Sequence, residues 1–135
     1  MFRFFLVLAM LLIVACSSGP NLKEGKWKIS TKVETTGMPF NFSIPASDYV
    51  TCLTADNAIP VDEESKNNDN CKVLKQSISG DTVKWTVECI DGGVKSVSEG
   101  EVTYKGEEME GTMKMSYQGM VMTTHLKGKR IGECD

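Results

Sequence analysis

Between Thr82 and Lys127 the chain alternates apolar and charged residues with a period of two, and turn-forming pairs interrupt the alternation at near-regular intervals. A period of two places successive side chains on opposite faces of a strand. Val83, Trp85, Val87 and Cys89 therefore share one side, and Lys84 and Glu88 take the other. Gly80–Asp81, Asp91–Gly92, the loop Lys105–Glu108 and Gln118–Gly119 are the turn signals. They predict pairing of Ile78 with Val83, Cys89 with Val94, Trp85 with Ser98, Tyr104 with Met109, and Met115 with Met122. A slip of one residue would turn a whole strand inside out. Four separate turn assignments nevertheless deliver the same inner face. It carries Val102, Tyr104, Met109, Met113, Met115, Tyr117, Met120, Met122 and Leu126, with small residues at Ser96, Ser98, Gly100 and Gly111.

The same alternation appears earlier. Trp27, Ile29, Thr31 and Val33 lie on one face of a half-buried strand whose other face is charged. Gly37–Met38–Pro39 predicts a turn, and Phe40–Ile44 and Tyr49–Leu53 predict two more short strands. Thr54–Ile59 reads as one helical turn capped by Thr54 and stopped by Pro60, and Val61–Asn70 as an acidic, Asn-rich surface loop. The expected fold is all-β: a single antiparallel meander of seven to eight strands closing into a lipocalin-like barrel or a β-sandwich. Residues 25–135 would form that one domain.

The amino-terminal segment belongs to export. Arg3 is followed by an apolar run from Phe4 to Val14 and then Ala15–Cys16, the layout of a secretory signal. The run is shorter than the ~20 apolar residues a membrane span needs. Ile13–Val14–Ala15–Cys16 resembles the lipobox of bacterial lipoproteins. That implies removal of residues 1–15, acylation of Cys16 and a tether to residue 24. Ser17 after the Cys resembles the enterobacterial signal for the outer membrane, facing the periplasm. Several acyl chains anchor stably where one is marginal. Cys52, Cys71, Cys89 and Cys134 remain, an even count that implies two disulfides with three possible pairings. Cys52–Cys71, closing the polar loop, and Cys89–Cys134, pinning the carboxyl terminus to a central strand, are the expected pairs.

Gly25-x-Trp27, Cys52–Leu53–Thr54, Trp85-x-x-x-Cys89 and Arg130-x-Gly132-x-Cys134 together resemble a set of bacterial exported proteins, the domain of unknown function 3617 family. The resemblance spans nearly the whole exported part. It implies a β-rich, often lipid-anchored protein, and it carries no catalytic residues with it.

A formal charge of −3 without a basic block argues against a nucleic-acid partner. With one histidine, His125, most metal sites and His-based triads are unavailable. Parity puts His125 on the outer face. Glu107, Glu108 and Glu110 surround a turn, and the acidic loop lacks the order of a calcium-binding loop. Lys127, Lys129 and Arg130 form a small basic group. The methionines carry the one unusual concentration. Thioethers suit Cu(I), but they also fill irregular interiors as adaptable hydrophobes. The expectation is binding without catalysis, metal or cofactor: a small apolar ligand in an interior lined by Trp85, Tyr104, Met113, Met115, Tyr117, Met120 and Met122. The alternatives are a protein–protein module of the envelope and a Cu(I) site at the methionines.

Overall fold

A computed structural model describes residues 19–36 and 43–135. The signal segment 1–15, Cys16, the Gly37–Met38–Pro39 turn and Phe40–Phe42 lie outside the described residues. Seven strands are present: β1 (Gly25–Thr36), β2 (Ser43–Leu53), β3 (Cys71–Ser79), β4 (Thr82–Asp91), β5 (Val94–Lys105), β6 (Glu108–Tyr117) and β7 (Met120–Gly132), with one helix, α1 (Glu63–Lys66). They form one antiparallel sheet in the order β2-β1-β7-β6-β5-β4-β3. The two short strands expected over 40–53 are one long strand from Ser43. β2 and β3 are the sheet edges, and among the described residues no ladder joins them.

Three of the four expected hairpin registers are observed: Ile78 faces Val83, Tyr104 faces Met109, and Met115 faces Met122. The fourth moves by two residues, so that Cys89 faces Ser96 and Trp85 faces Gly100. The cause is the turn. Gly92 and Gly93 both have positive φ (57° and 79°), which a two-residue primed turn requires at both central positions. A shift of two preserves the face. Gly100 then lies beneath the Trp85 ring, where a Cβ would come within 2.2 Å of the indole.

Register builds the inner face in rows. Tyr49, Ile29, Gly128, Met109 and Tyr104 form one; Thr31, Leu126, Gly111, Val102 and Val83 form the next. Side chains on a flat sheet stand roughly perpendicular to it. Yet the rings of Trp27 on β1 and Tyr104 on β5, three strand spacings or about 14 Å apart, meet edge to face at 5.8 Å. The sheet must curl for that contact to form. Trp27, Ile29, Leu53, Val83, Val102 and Tyr104 are fully buried in the concavity. Each such side chain contributes roughly 1.5–3 kcal/mol.

The connector between β2 and β3 departs from expectation. Thr54 and Asn57 close a tight turn on each other rather than a helical one. The helix forms later, where Asp62 caps Ser65 N at 2.8 Å and Glu63 and Glu64 occupy the favourable first turn. Ala58 and Ile59 are buried against the core. The expected tether is also shorter, because Asn21 and Lys23 exchange backbone hydrogen bonds with Gly106, and Asn21 N donates to Asp81.

The disulfides are Cys52–Cys134 and Cys71–Cys89, which corrects the expected pairing. Cys71 stands directly opposite Cys89 in the β3–β4 ladder. Lys26 of β1 faces both Cys52 and Gly132, so the chain leaving β7 reaches Cys52 across β1. The carboxyl terminus is thus pinned to an edge strand.

Peptide mapping without reduction will recover Cys52–Cys134 and Cys71–Cys89. In urea titrations, loss of the first bridge (separation 82) will cost more than loss of the second (separation 18), about 4.5 against 3 kcal/mol by loop entropy. Gly100→Ala will lower stability by about 1–3 kcal/mol through the clash with Trp85, and Trp85→Leu in the same chain will relieve the clash component.

Candidate ligand cavity

The inner face divides into two halves along the strands. Toward the Lys105–Glu108 end, Trp27, Leu53, Tyr104 and Met109 pack without exposure beyond 3%. Toward the other end the side chains shrink. The row Trp85–Gly100–Met113 is followed by Val87–Ser98–Met115, and Gly and Ser there leave space. The opposite wall is the connector. Together they flank a half-open cavity of about 450 Å3, whose apolar lining comes from Ile59, Val61, Val73, Trp85, Val87, Met113 and Met115 beside the Cys71–Cys89 bridge. Asn57, Ser65, Ser98, Lys66 and Lys72 complete the lining, which contains no carboxylate. Two grooves on the outer face are lined largely by Lys, Glu and Thr, with Trp85 reaching one and Leu126 the other.

Specific polar contacts hold the connector in place. Tyr49 Oη donates to the Pro60 carbonyl, and Tyr104 Oη donates to the Ala58 carbonyl. Burial raises the pKa of both phenols, assisted at Tyr49 by Asp62 and at Tyr104 by Tyr49. They stay protonated and act as fixed donors. At α1, Glu63 Oε1 accepts from Thr51 Oγ1, Cys52 N and Lys66 Nζ at 2.9, 3.1 and 3.0 Å. Lys66 Nζ also donates to Thr51 Oγ1 and the Cys52 carbonyl. The Cys52 N–H, then Lys66 and Thr51, hold the Glu63 carboxyl below its ordinary value of 4.5. One buried polar atom stands out. Among the described residues Trp85 Nε1 has no hydrogen-bond partner, an omission worth ~1–3 kcal/mol.

The seven residues expected to line a pocket are dispersed. Trp85, Met113 and Met115 line the cavity. Tyr104 belongs to the packed core against Trp27. Tyr117, exposed beside the β6–β7 turn, faces half-buried Met120, and half-buried Met122 faces Met115; none of the three lines the cavity. His125 is exposed on the outer face, 3.3 Å from Glu34. It therefore lies across the sheet from the methionines. Arg130 is engaged by the Glu24 carbonyl and Glu133 rather than free with Lys127 and Lys129. Val73, Val87, Ile59 and Val61 were not anticipated as lining. Alternation already put Val87 on the inner face, but two apolar residues flanking Pro60 in a polar segment carry no signal of where the segment lands.

Because the folded-state pKa of Glu63 is depressed, its contribution is present above pH 4.5 and lost as pH falls through the lower folded value. Protection of the amides in residues 58–66, relative to their intrinsic exchange rates at each pH, will fall on acidification through that window, and Glu63→Gln will show the lower protection already at pH 7 with the acid response removed.

Residues 22–134 match the family model described as Protein of unknown function (DUF3617). No curated protein and no solved structure matches the chain.

Proposed function

The chain belongs to the DUF3617 family of proteins of unknown function, and on that premise we propose that it is a lipid-anchored envelope protein that binds a small apolar ligand. Cys16 is the acylation site in this reading, the outer membrane is the anchoring surface, and the domain faces the periplasm. The architecture it takes is an incompletely closed lipocalin-like barrel whose open side is walled by the connector. The reading rests on one observation: a cavity of about 450 Å3 with seven apolar wall residues in a 135-residue chain. That volume falls within the ~300–1,000 Å3 of small-molecule pockets. Binding without catalysis remains part of the proposal.

A second reading has its own support. Among the described residues no strand pairs with the outer side of β3, on which Val73, Leu74 and Ile78 are 42–52% exposed, and such edges attract another chain. A protein–protein module, such as an assembly factor or an inhibitor of an envelope enzyme, would use it.

The two are separable. The fluorescent apolar probe N-phenyl-1-naphthylamine will bind the wild type, and Ser98→Trp, which fills the cavity, will weaken it roughly tenfold or more, ~1.4 kcal/mol. His125→Ala on the outer face will leave binding unchanged. Equal affinity for wild type and a folded Ser98→Trp would remove the cavity reading. Native mass spectrometry of protein taken from its own envelope will show added small-molecule mass under the first reading and a partner chain under the second.

A further inference from the structure

The amino-terminal residues settle which end of the sheet stands nearest an acyl group on Cys16, given the anchoring proposed above. Leu22 bridges to Gly106 in parallel pairing, Gly106 N donates to the Asn21 carbonyl at 2.7 Å, and Lys23 N donates to Gly106 O at 3.0 Å. Asn21 N reaches Asp81 Oδ1 at 3.1 Å, and Trp27 Nε1 donates to Lys23 O at 3.0 Å. The chain is therefore fastened from Asn21 onward to the end of the sheet that carries the Gly80–Asp81 and Gly106–Glu107 turns. Asn21 lies five residue steps from Cys16. At about 3.5 Å each they reach no farther than about 18 Å.

The cavity lies in the other half. Ser98 is seven residues along β5 from Lys105, about 23 Å at ~3.3 Å per residue. Between the cavity and the fastened end stands the solid layer of Trp27, Leu53, Tyr104 and Met109, none more than 3% exposed.

We infer that the fastened end faces the lipid surface and that the cavity opens onto water on the far half, so its ligand is exchanged through the aqueous phase and not drawn directly from the bilayer. A tether of about 18 Å is too short for the molecule to stand on the opposite hairpin tips. Resting on one side is the competing geometry, and it would bring both halves equally near the lipid.

Fluorophore-labelled variants of the full chain, reconstituted after acylation into phospholipid vesicles with a nitroxide on the headgroup, distinguish these arrangements. Lys105→Cys marks the fastened end, Ser116→Cys the far end and Val73→Cys the cavity rim; all three positions are exposed. With Cys16 acylated and the other four cysteines bridged, each label occupies a unique thiol. The nitroxide will quench the Lys105 label several-fold more than the other two, and iodide in the water will show the reverse order. Equal nitroxide quenching at Lys105 and Ser116, stronger quenching at Ser116, or nitroxide access at Val73 matching that at Lys105 overturns the inference while leaving the anchor intact. An unmodified Cys16 in the mass of the amino-terminal peptide overturns the anchoring premise instead.

Discussion

The β1–β7 ladder joins two parts of the chain that lie far apart in sequence. It runs from Lys26–Gly132 to Thr36–Val121 and attaches the amino-terminal hairpin to the last strand of the meander. β1 gains its second ladder there, and Trp27 is carried over the concave face to Tyr104. Arg130 reaches back to the Glu24 carbonyl across the same seam. The Cys52–Cys134 bridge depends on it too, since Cys52 and Cys134 approach only because β1 lies between β2 and β7. A ladder between distant segments costs loop closure before it returns any contact. Burial of Trp27, Ile29 and Leu126 on both sides of the seam is what makes closure favourable.

Curling creates a packed half and a hollow half from one continuous face. Large rings at Trp27 and Tyr104 fill the first. In the second, Gly100 accommodates the Trp85 indole, and Ser98 sits between Val87 and Met115. The connector closes the hollow half with polar ties rather than a ladder. Two phenol hydroxyls hold its first residues, and the Glu63–Lys66 network holds α1 against β2. The exposed ion pairs elsewhere, such as Lys23–Glu107 and Lys28–Asp48, contribute ~0–1 kcal/mol each. They decorate a structure whose stability lies in the buried rows.

Strand alternation made much of the sheet legible. The inner face from Val83 to Leu126 is the one that parity assigned, because a period of two survives any register error of two residues. The Asp91–Gly92 assignment shows this directly: the pairing moved to Asp91–Val94, but Trp85 and Cys89 kept their side. The Met115–Met122 pairing held because Gln118 and Gly119 both adopt positive φ (46° and 79°), which leaves one register for a two-residue turn. The candidate cavity was legible only in part. Trp85, Met113 and Met115 share its wall, while Tyr104 on the same face went to the solid core, since face alone does not say how far along the strand the packing ends.

The sequence by itself determined strand faces, most hairpin registers and the even count of bridging cysteines, because alternation and turn chemistry act over a few residues. Tertiary structure alone decided the sheet order, the disulfide partners, the course of residues 54–70 and the division into solid and hollow halves. Those depend on contacts between residues far apart in the chain, such as Trp27 with Tyr104 and Cys52 with Cys134. No local pattern encodes them; they are set by which apolar surfaces the curled sheet can bring together.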